Sequence, residues 1–148
     1  MTDTRIDRRM AKLKTEGRPA LVTYFMGGDP DYDTSLRIMK ALPKAGSDVI
    51  ELGMPFSDPM ADGVTIQRSS RSAIEQGVNL HWIFDELARR DFELPAPVLL
   101  MSYLNPLLAF GYEALAARAA ETGVTGFIVP DLPYEEGGPL KSVLDAKG

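Results

Sequence analysis

Two acidic residues, Glu51 and Asp62, have the types and spacing best suited to chemistry in this sequence. Glu51 lies inside the segment 48–53, whose aliphatic residues predict a buried strand. Because side chains alternate along a strand, Glu51 faces away from the side that carries Ile50 and Leu52. A carboxylate on the other face, near the end of a buried strand, is partly removed from water and can act as a general acid or base.

A structural role is the competing interpretation of these carboxylates. Glu51 could form an ion pair, but the interiors of the neighbouring predicted strands contain no basic residue, which favours a functional role. Asp58 and Asp62, taken singly, are typical of turn caps or solvated charges. However, their loop leaves the strand end that carries Glu51, and the eleven residues from Glu51 to Asp62 allow it to fold back. Two carboxylates in unlike environments can take separate acid and base roles.

The elements that must position these residues alternate between strand and helix. Strands are predicted over 20–26, 48–53, 96–103 and 125–130. Helices are predicted over 4–16, 31–45, 66–76, 82–90 and 107–122, with a further helix after the turn at 131–138. This order predicts parallel βα units, which form either an open doubly wound sheet or half of an eight-stranded barrel. In a barrel, Glu51 would face the interior near the catalytic end of the strands.

Composition excludes several classes of function. The 148 residues carry a net charge of −5, which disfavours nucleic-acid binding, and they include no cysteine for disulfides or thiolate chemistry. The single histidine, His81, cannot build a multi-histidine metal site, and we interpret it as a surface or helix-capping residue. No apolar run is long enough to span a membrane, and the N-terminus lacks the apolar core of a signal peptide, so we predict a cytoplasmic protein.

Three further features leave alternatives open or favour a structural role. The turn 27–30, Gly-Gly-Asp-Pro, lacks either phosphate-loop pattern and is interpreted as a simple turn. Tyr24 and Tyr103 lie near the ends of predicted strands, where each is as consistent with the core as with a pocket wall.

One long run makes the sequence recognisable. Residues 50–63, Ile-Glu-Leu-Gly-Met-Pro-Phe-Ser-Asp-Pro-Met-Ala-Asp-Gly, strongly resemble the signature of the tryptophan synthase alpha chain family. Shorter matching pieces follow in order at 28–30, 65–67, 101–106 and 129–136. The resemblance extends from about Pro19 to the end of the sequence. Val64 departs from the pattern, because the family usually carries proline there.

The resemblance implies a fold of class α/β, a (β/α)8 TIM barrel of roughly 250 residues. Residues 1–148 would form a single domain, the N-terminal half of that barrel, with about four βα units and an N-terminal helix. The C-terminal half, which carries the phosphate-binding loops of the family, is absent from this sequence.

The resemblance also implies an activity. The family is a lyase of tryptophan biosynthesis that cleaves indole-3-glycerol phosphate to indole and glyceraldehyde 3-phosphate by a retro-aldol reaction. Glu51 would be the general acid/base, and Asp62 would accept a hydrogen bond from the indole N–H and stabilise the positive charge on the ring.

Further roles follow from the same resemblance. The substrate pocket would be lined by Tyr24, Met101, Tyr103 and Pro130. The surface for the beta chain, in an alpha2-beta2 tetramer, would comprise Pro55, Phe56, Ser57 and Asp58, joined by Asn105 and Asp131. No metal or cofactor is expected in this chain, since pyridoxal phosphate belongs to the beta partner.

Two other functions are weighed against this one. The chain could be a truncated, non-catalytic half-barrel competent only for assembly, because unpaired strand edges invite pairing with another chain. It could also resemble another phosphate-binding barrel, indole-3-glycerol phosphate synthase. That enzyme relies on a catalytic lysine on an early strand, and the four predicted strand interiors contain no lysine, which counts against it.

Overall fold

Strands and helices alternate along residues 4–148, the part of the chain that the computed structural model describes. The strands are β1 (Val22–Met26), β2 (Val49–Gly53), β3 (Val98–Met101) and β4 (Val124–Ile128). The helices are α1 (Arg5–Glu16), α2 (Tyr32–Ala41), α3 (Val64–Glu75), α4 (Leu80–Arg89), α5 (Leu104–Phe110), α6 (Tyr112–Thr122) and α7 (Gly138–Asp145), with a 3₁₀ turn at Tyr134–Glu136. No helix in this part of the chain is long and apolar enough to cross a membrane.

The four strands form one parallel sheet in sequence order, β1-β2-β3-β4. This arrangement confirms the predicted parallel βα units. The register places Tyr24 opposite Glu51, and Glu51 opposite Leu99. Because all four strands run the same way, their carboxyl ends share one edge of the sheet, and the loops that follow them meet there.

The hydrophobic core lies between the helices and one face of the sheet. Ile50 and Leu52 are almost completely buried in it, together with helix residues such as Phe84 and Leu115. Glu51, on the opposite face of β2, is only partly buried. The predicted alternation along β2 is therefore confirmed, and it directs the carboxylate away from the apolar core.

One predicted helix is divided in two, and another, predicted over 31–45, ends at Ala41. The segment 107–122, expected as a single helix, belongs to two helices, α5 and α6, which meet at Gly111. Gly111 has a φ of 86°, a left-handed conformation that interrupts a right-handed helix and that glycine adopts without a Cβ clash. The first of the two helices begins earlier than predicted, because the Asp131 carboxylate accepts a hydrogen bond from the Leu104 N–H at 2.9 Å.

His81 is exposed, as predicted for a surface residue, but it is not a helix cap. Asn79 caps α4 instead, since its side-chain oxygen accepts a hydrogen bond from the Trp82 N–H at 3.0 Å. The His81 ring packs against Phe110 with 4.5 Å between centroids. This contact joins α4 to the end of α5 on the outer surface.

The amino end of the sheet is closed by a buried carboxylate, Asp48, just before β2. Arg18 donates two hydrogen bonds to it at 2.7 and 2.8 Å, Arg9 donates a third, and the Leu21 N–H a fourth at 2.8 Å. The Arg18 hydrogen bonds, then that from Leu21, hold the pKa of Asp48 well below its usual range. Asp48 thereby ties α1 and the segment before β1 to the bottom of the sheet.

Candidate active site

Glu51 is the central residue of β2 and lies on the face of the sheet opposite the hydrophobic core. Tyr24 and Leu99 flank it on the two neighbouring strands. Within residues 4–148, the Glu51 carboxylate has neither a hydrogen bond nor an ion pair. The ion-pair interpretation of Glu51 therefore has no partner in the described part of the chain, and the carboxylate is free to meet a ligand.

Tyr24 lies across the end of β2, and this position depends on a glycine. A Cβ at Gly53 would lie 2.3 Å from the Tyr24 hydroxyl oxygen and 2.7 Å from its Cζ. Only a residue without a side chain therefore accommodates the ring as it stands. Burial raises the pKa of Tyr24 to about 12, with further contributions from the negative charge of Asp62, from Tyr103 and from Glu51.

The loop 54–63, between β2 and α3, returns to the same sheet edge. It starts with a hydrogen bond from the Met54 N–H to the Met101 carbonyl at 2.8 Å. Ser70 of α3 then fixes Phe56 twice: its hydroxyl accepts from the Phe56 N–H and donates to the Phe56 carbonyl, both at 2.9 Å. The middle of the loop is therefore fastened to both the sheet and a helix.

The far end of the loop is fastened near Asp62. The Gln67 side-chain amide donates to the Asp62 carbonyl at 2.9 Å, and the Tyr103 hydroxyl accepts from the Ala61 N–H at 2.9 Å. The loop next to Asp62 is thereby bonded to Tyr103, which follows β3 at the carboxyl edge of the sheet.

Both predicted carboxylates act on one group, the Tyr24 hydroxyl. After burial, the charges of Asp62 and of Glu51 contribute to its raised pKa, and Tyr24 lies opposite Glu51 in the register of the sheet. Glu51 belongs to a strand, whereas Asp62 belongs to a loop whose backbone is bonded to Gln67 and Tyr103. Such a pair can divide labour, one exchanging a proton and the other stabilising positive charge.

The other residues predicted to line the pocket differ in exposure. Met101 lies opposite Gly53 in the register and is partly buried. Tyr103 is 3% exposed, and its hydroxyl is engaged by the loop. Pro130 is exposed just beyond the end of β4. All of them lie at the carboxyl edge of the sheet, where Tyr24 also lies.

The residues predicted to meet a partner fall into exposed and structural groups. Ser57 and Asp58 are exposed and joined by a hydrogen bond of 2.7 Å, and Asn105 is exposed on α5. Pro55 is buried, so its side chain is not exposed to a partner. The remaining two are partly buried: Phe56 is held by Ser70, and Asp131 caps α5.

Three supporting residues were not predicted from the sequence. Gly53 makes room for Tyr24, Ser70 holds the loop, and Gln67 holds Asp62. Gln67 lies in a piece that resembles the family signature, but that resemblance assigned it no role. Ser70 lies in a helix and is 1% exposed. Its sequence context does not identify Phe56 as its partner, because the two residues meet only when the loop packs against the helix.

Neither a metal cluster nor the groove along β4 and α7 marks this site. In the described residues, no group of three or more His, Cys, Asp or Glu side chains is placed to hold a metal ion. A groove of about 990 Å³ runs along β4 and α7, lined by apolar residues such as Val124, Phe127 and Leu140. Neither Glu51 nor Asp62 lines this groove. The candidate site is therefore assigned from the positions of its residues and not from a cavity.

Comparison with known proteins identifies the family of this chain. The family model described as "Tryptophan synthase alpha chain" matches residues 10–148. The chain belongs to the tryptophan synthase alpha chain family. It is 52% identical to the tryptophan synthase alpha chain of Caulobacter sp. strain K31 and 50% identical to that of Phenylobacterium zucineum. Both matches cover all of this chain and 54% of the relative, so the chain spans about half the length of these relatives.

Solved structures of the tryptophan synthase alpha family share the fold. The subunit alpha of Legionella pneumophila strain Paris superposes with a TM-score of 0.94 at 38% identity, over 98% of this chain and 56% of that one. A structure of tryptophan synthase from M. tuberculosis gives a TM-score of 0.90 at 31% identity, over 97% and 57%. The predicted fold, about half of a (β/α)8 barrel with four βα units and an N-terminal helix, is confirmed.

Proposed function

We propose that this chain supplies the acid–base half of a tryptophan synthase alpha chain, a lyase that cleaves indole-3-glycerol phosphate to indole and glyceraldehyde 3-phosphate. The observation that carries the proposal is that Glu51, which has no ion-pair partner among residues 4–148, lies opposite Tyr24 in the sheet, while the loop that carries Asp62 is bonded through Ala61 to Tyr103. Family membership supports the reaction, and this geometry supports the division of roles.

Glu51 is the proton carrier in this proposal. Its carboxylic acid protonates C3 of the indole ring, and the bond from C3 to the glycerol carbon then breaks, with its electron pair returning to the ring. The proton of the glycerol hydroxyl passes back to the Glu51 carboxylate as the aldehyde forms. One proton leaves Glu51 and one returns, so the residue is regenerated. A positioned acid or base of this kind typically contributes about 10²–10⁴-fold to the rate.

Asp62 is the charge stabiliser. Protonation at C3 leaves positive charge on the indole ring, and a fixed carboxylate that accepts a hydrogen bond from the ring N–H lowers the energy of that state. The loop contacts from Gln67 and Tyr103 support this role, because a preorganised charge does not have to reorient during the reaction.

The pocket and partner surface complete the proposal. Tyr24, Met101, Tyr103 and Pro130 would line the indole end of the pocket. The surface of Pro55, Phe56, Ser57, Asp58, Asn105 and Asp131 would contact a beta chain in an alpha2-beta2 tetramer. Pyridoxal phosphate would be bound by that beta chain, this chain would need no cofactor of its own, and the assembly would be cytoplasmic.

The test uses residues 1–148 fused to the C-terminal part of the alpha chain from Caulobacter sp. strain K31. Indole release from indole-3-glycerol phosphate is measured for this fusion and for its Glu51→Gln and Asp62→Asn variants. We expect activity in the fusion and at least a hundredfold loss of kcat in Glu51→Gln, because glutamine cannot exchange the proton. Activity within about threefold of the parent in both variants would overturn the assigned roles.

A second candidate function is assembly without catalysis. It is favoured by the two edge strands of the four-stranded sheet: β1 and β4 each pair on one side only within residues 4–148. Unpaired edges can add a strand from another chain. Size-exclusion chromatography with light scattering on the 148-residue chain tests this. A stable oligomer without lyase activity favours assembly, and a well-folded monomer counts against it.

A further inference from the structure

Tyr103 connects two separate parts of the loop 54–63. It follows β3 at the carboxyl edge of the sheet and is 3% exposed. Its ring stacks on Phe56 with 5.3 Å between centroids, and its hydroxyl accepts the Ala61 N–H at 2.9 Å. A single buried side chain thus holds both the middle of the loop and the residue next to Asp62.

The charge of Asp62 also influences the Tyr103 hydroxyl. Burial raises the pKa of Tyr103, and hydrogen bonding and charge from Asp62 raise it further, against the opposing effect of the Ala61 N–H. The hydroxyl is hydrogen-bonded to the backbone of Ala61, the residue that precedes Asp62. Gln67, the other side chain that holds Asp62, is exposed and contacts only its carbonyl.

We propose that Tyr103 is a positioning residue that fixes the Asp62 carboxylate relative to Glu51 through its hydroxyl. This inference rests on the proposed function and adds a residue that acts through Asp62. A buried side chain on the sheet restrains a loop more strongly than an exposed one, because it has fewer alternative rotamers and no competing water. The carboxylate is then in place before substrate arrives, which is the condition for electrostatic stabilisation.

The test compares Tyr103→Phe with Tyr32→Phe in the fusion protein. Tyr103→Phe keeps the ring on Phe56 and removes only the hydroxyl. Tyr32 is the matched control: its ring stacks on Trp82 at 4.7 Å, and its hydroxyl has no hydrogen bond among the described residues. We expect kcat/KM to fall about three- to tenfold in Tyr103→Phe, the range for one lost hydrogen bond, and less than about twofold in Tyr32→Phe.

A double-mutant cycle separates positioning from a general structural effect. If Tyr103 acts through Asp62, Tyr103→Phe should change kcat/KM by less than about twofold when Asp62 is already asparagine. An equal loss in both backgrounds would overturn the proposal, since a folding defect lowers activity whatever occupies position 62. If Asp62→Asn itself has no effect, the proposed function fails at that residue. If it lowers activity while Tyr103→Phe does not, only the present inference fails.

A readout without catalysis checks the same contact in the 148-residue chain. Amide hydrogen exchange at Ala61 should become at least about threefold faster in Tyr103→Phe, because its N–H loses its acceptor. Exchange in the strands should stay unchanged, as should exchange at Ala61 in Tyr32→Phe. Unchanged exchange at Ala61 in Tyr103→Phe would overturn the inference even if the chain proves inactive.

Discussion

Two carboxylates close together in sequence, Asp48 just before β2 and Glu51 in the middle of β2, have opposite surroundings. Asp48, at the amino end, is completely buried and receives hydrogen bonds from Arg9, Arg18 and the Leu21 backbone. Glu51, three residues later, is partly exposed and has no hydrogen-bond or ion-pair partner among residues 4–148. The same chemical group therefore anchors the structure at Asp48 and has no bonded partner in the described chain at Glu51.

The difference between Asp48 and Glu51 follows from the physical cost of burying a carboxylate. A buried carboxylate without partners carries a large desolvation cost, so Asp48 persists only because its two arginines and a backbone donor offset that cost. Glu51 keeps its contact with water on the open face and needs no such partners. In parallel βα folds the carboxyl edge is where loops converge around ligands, while the amino edge serves stability. The two carboxylates therefore differ in burial and also in the number of hydrogen-bond donors that each receives.

The largest expected contrast is in thermal stability. Asp48→Asn leaves two arginines facing a neutral amide in a buried setting, so we expect Tm to fall by roughly 10 °C. Glu51→Gln removes no ion pair of the described chain and should shift Tm by less than about 2 °C. Circular dichroism melts of the 148-residue chain and the two variants measure both values.

The activities of these two variants should show the reverse order. In the fusion protein, below the melting range, Asp48→Asn should retain lyase activity within about threefold of the parent, while Glu51→Gln loses at least a hundredfold. Equal losses of stability in the two variants would contradict the proposed difference between Asp48 and Glu51.

The next effect concerns the contact between Gly53 and Tyr24. Gly53→Ala places a methyl group 2.3 Å from the Tyr24 hydroxyl oxygen, so the ring has to move. We expect a loss of about 1–3 kcal/mol in the free energy of unfolding, the usual range for overpacking, measured by urea titration. Gly63→Ala is the control, because a Cβ there meets no atom within 4 Å.

A second variant distinguishes the Tyr24 contact from backbone effects. Tyr24→Leu shortens the side chain that meets the new methyl group, and it should recover part of the stability lost in Gly53→Ala. If the two substitutions are simply additive, the clash with Tyr24 is not the cause of the loss.

The contrast also shows what the sequence could predict. The alternation of Ile50, Glu51 and Leu52 was sufficient to put the carboxylate on the face opposite the core, because a strand has a fixed period of two. For Asp62, the sequence could show only that the loop is long enough to fold back toward the sheet. Which side chains hold it, Gln67 and Tyr103, depends on contacts between elements far apart in sequence.

Other features depended on single backbone positions or on distant partners. The division of segment 107–122 into two helices follows from the left-handed conformation of Gly111 and from the Asp131 cap, neither of which a helical period reports. Asp48 received no role from the sequence alone. Its partners, Arg9 and Arg18, lie 39 and 30 residues away, so only the folded chain identifies the cluster.

The smallest effect is on pH dependence, and it sharpens the role of Asp48. Its pKa in the folded chain lies below the value of about 3.9 typical of an unfolded aspartate. Its contribution to stability is therefore present above about pH 4 and is lost as pH falls through the folded pKa. The free energies of unfolding of the parent and Asp48→Asn should differ most near neutral pH and converge below about pH 4.

Urea titrations between pH 7 and pH 2 measure this convergence, and Asp31→Asn provides the comparison. The pKa of Asp31 is also lowered, by hydrogen bonds from the Thr34 N–H and hydroxyl, but Asp31 is an exposed helix cap and asparagine can replace it there. We therefore expect a smaller gap for Asp31→Asn at neutral pH and less convergence in acid. A constant gap between the parent and Asp48→Asn from pH 7 to pH 2 would mean that hydrogen-bond geometry, and not charge, is what Asp48 contributes at the amino end of β2.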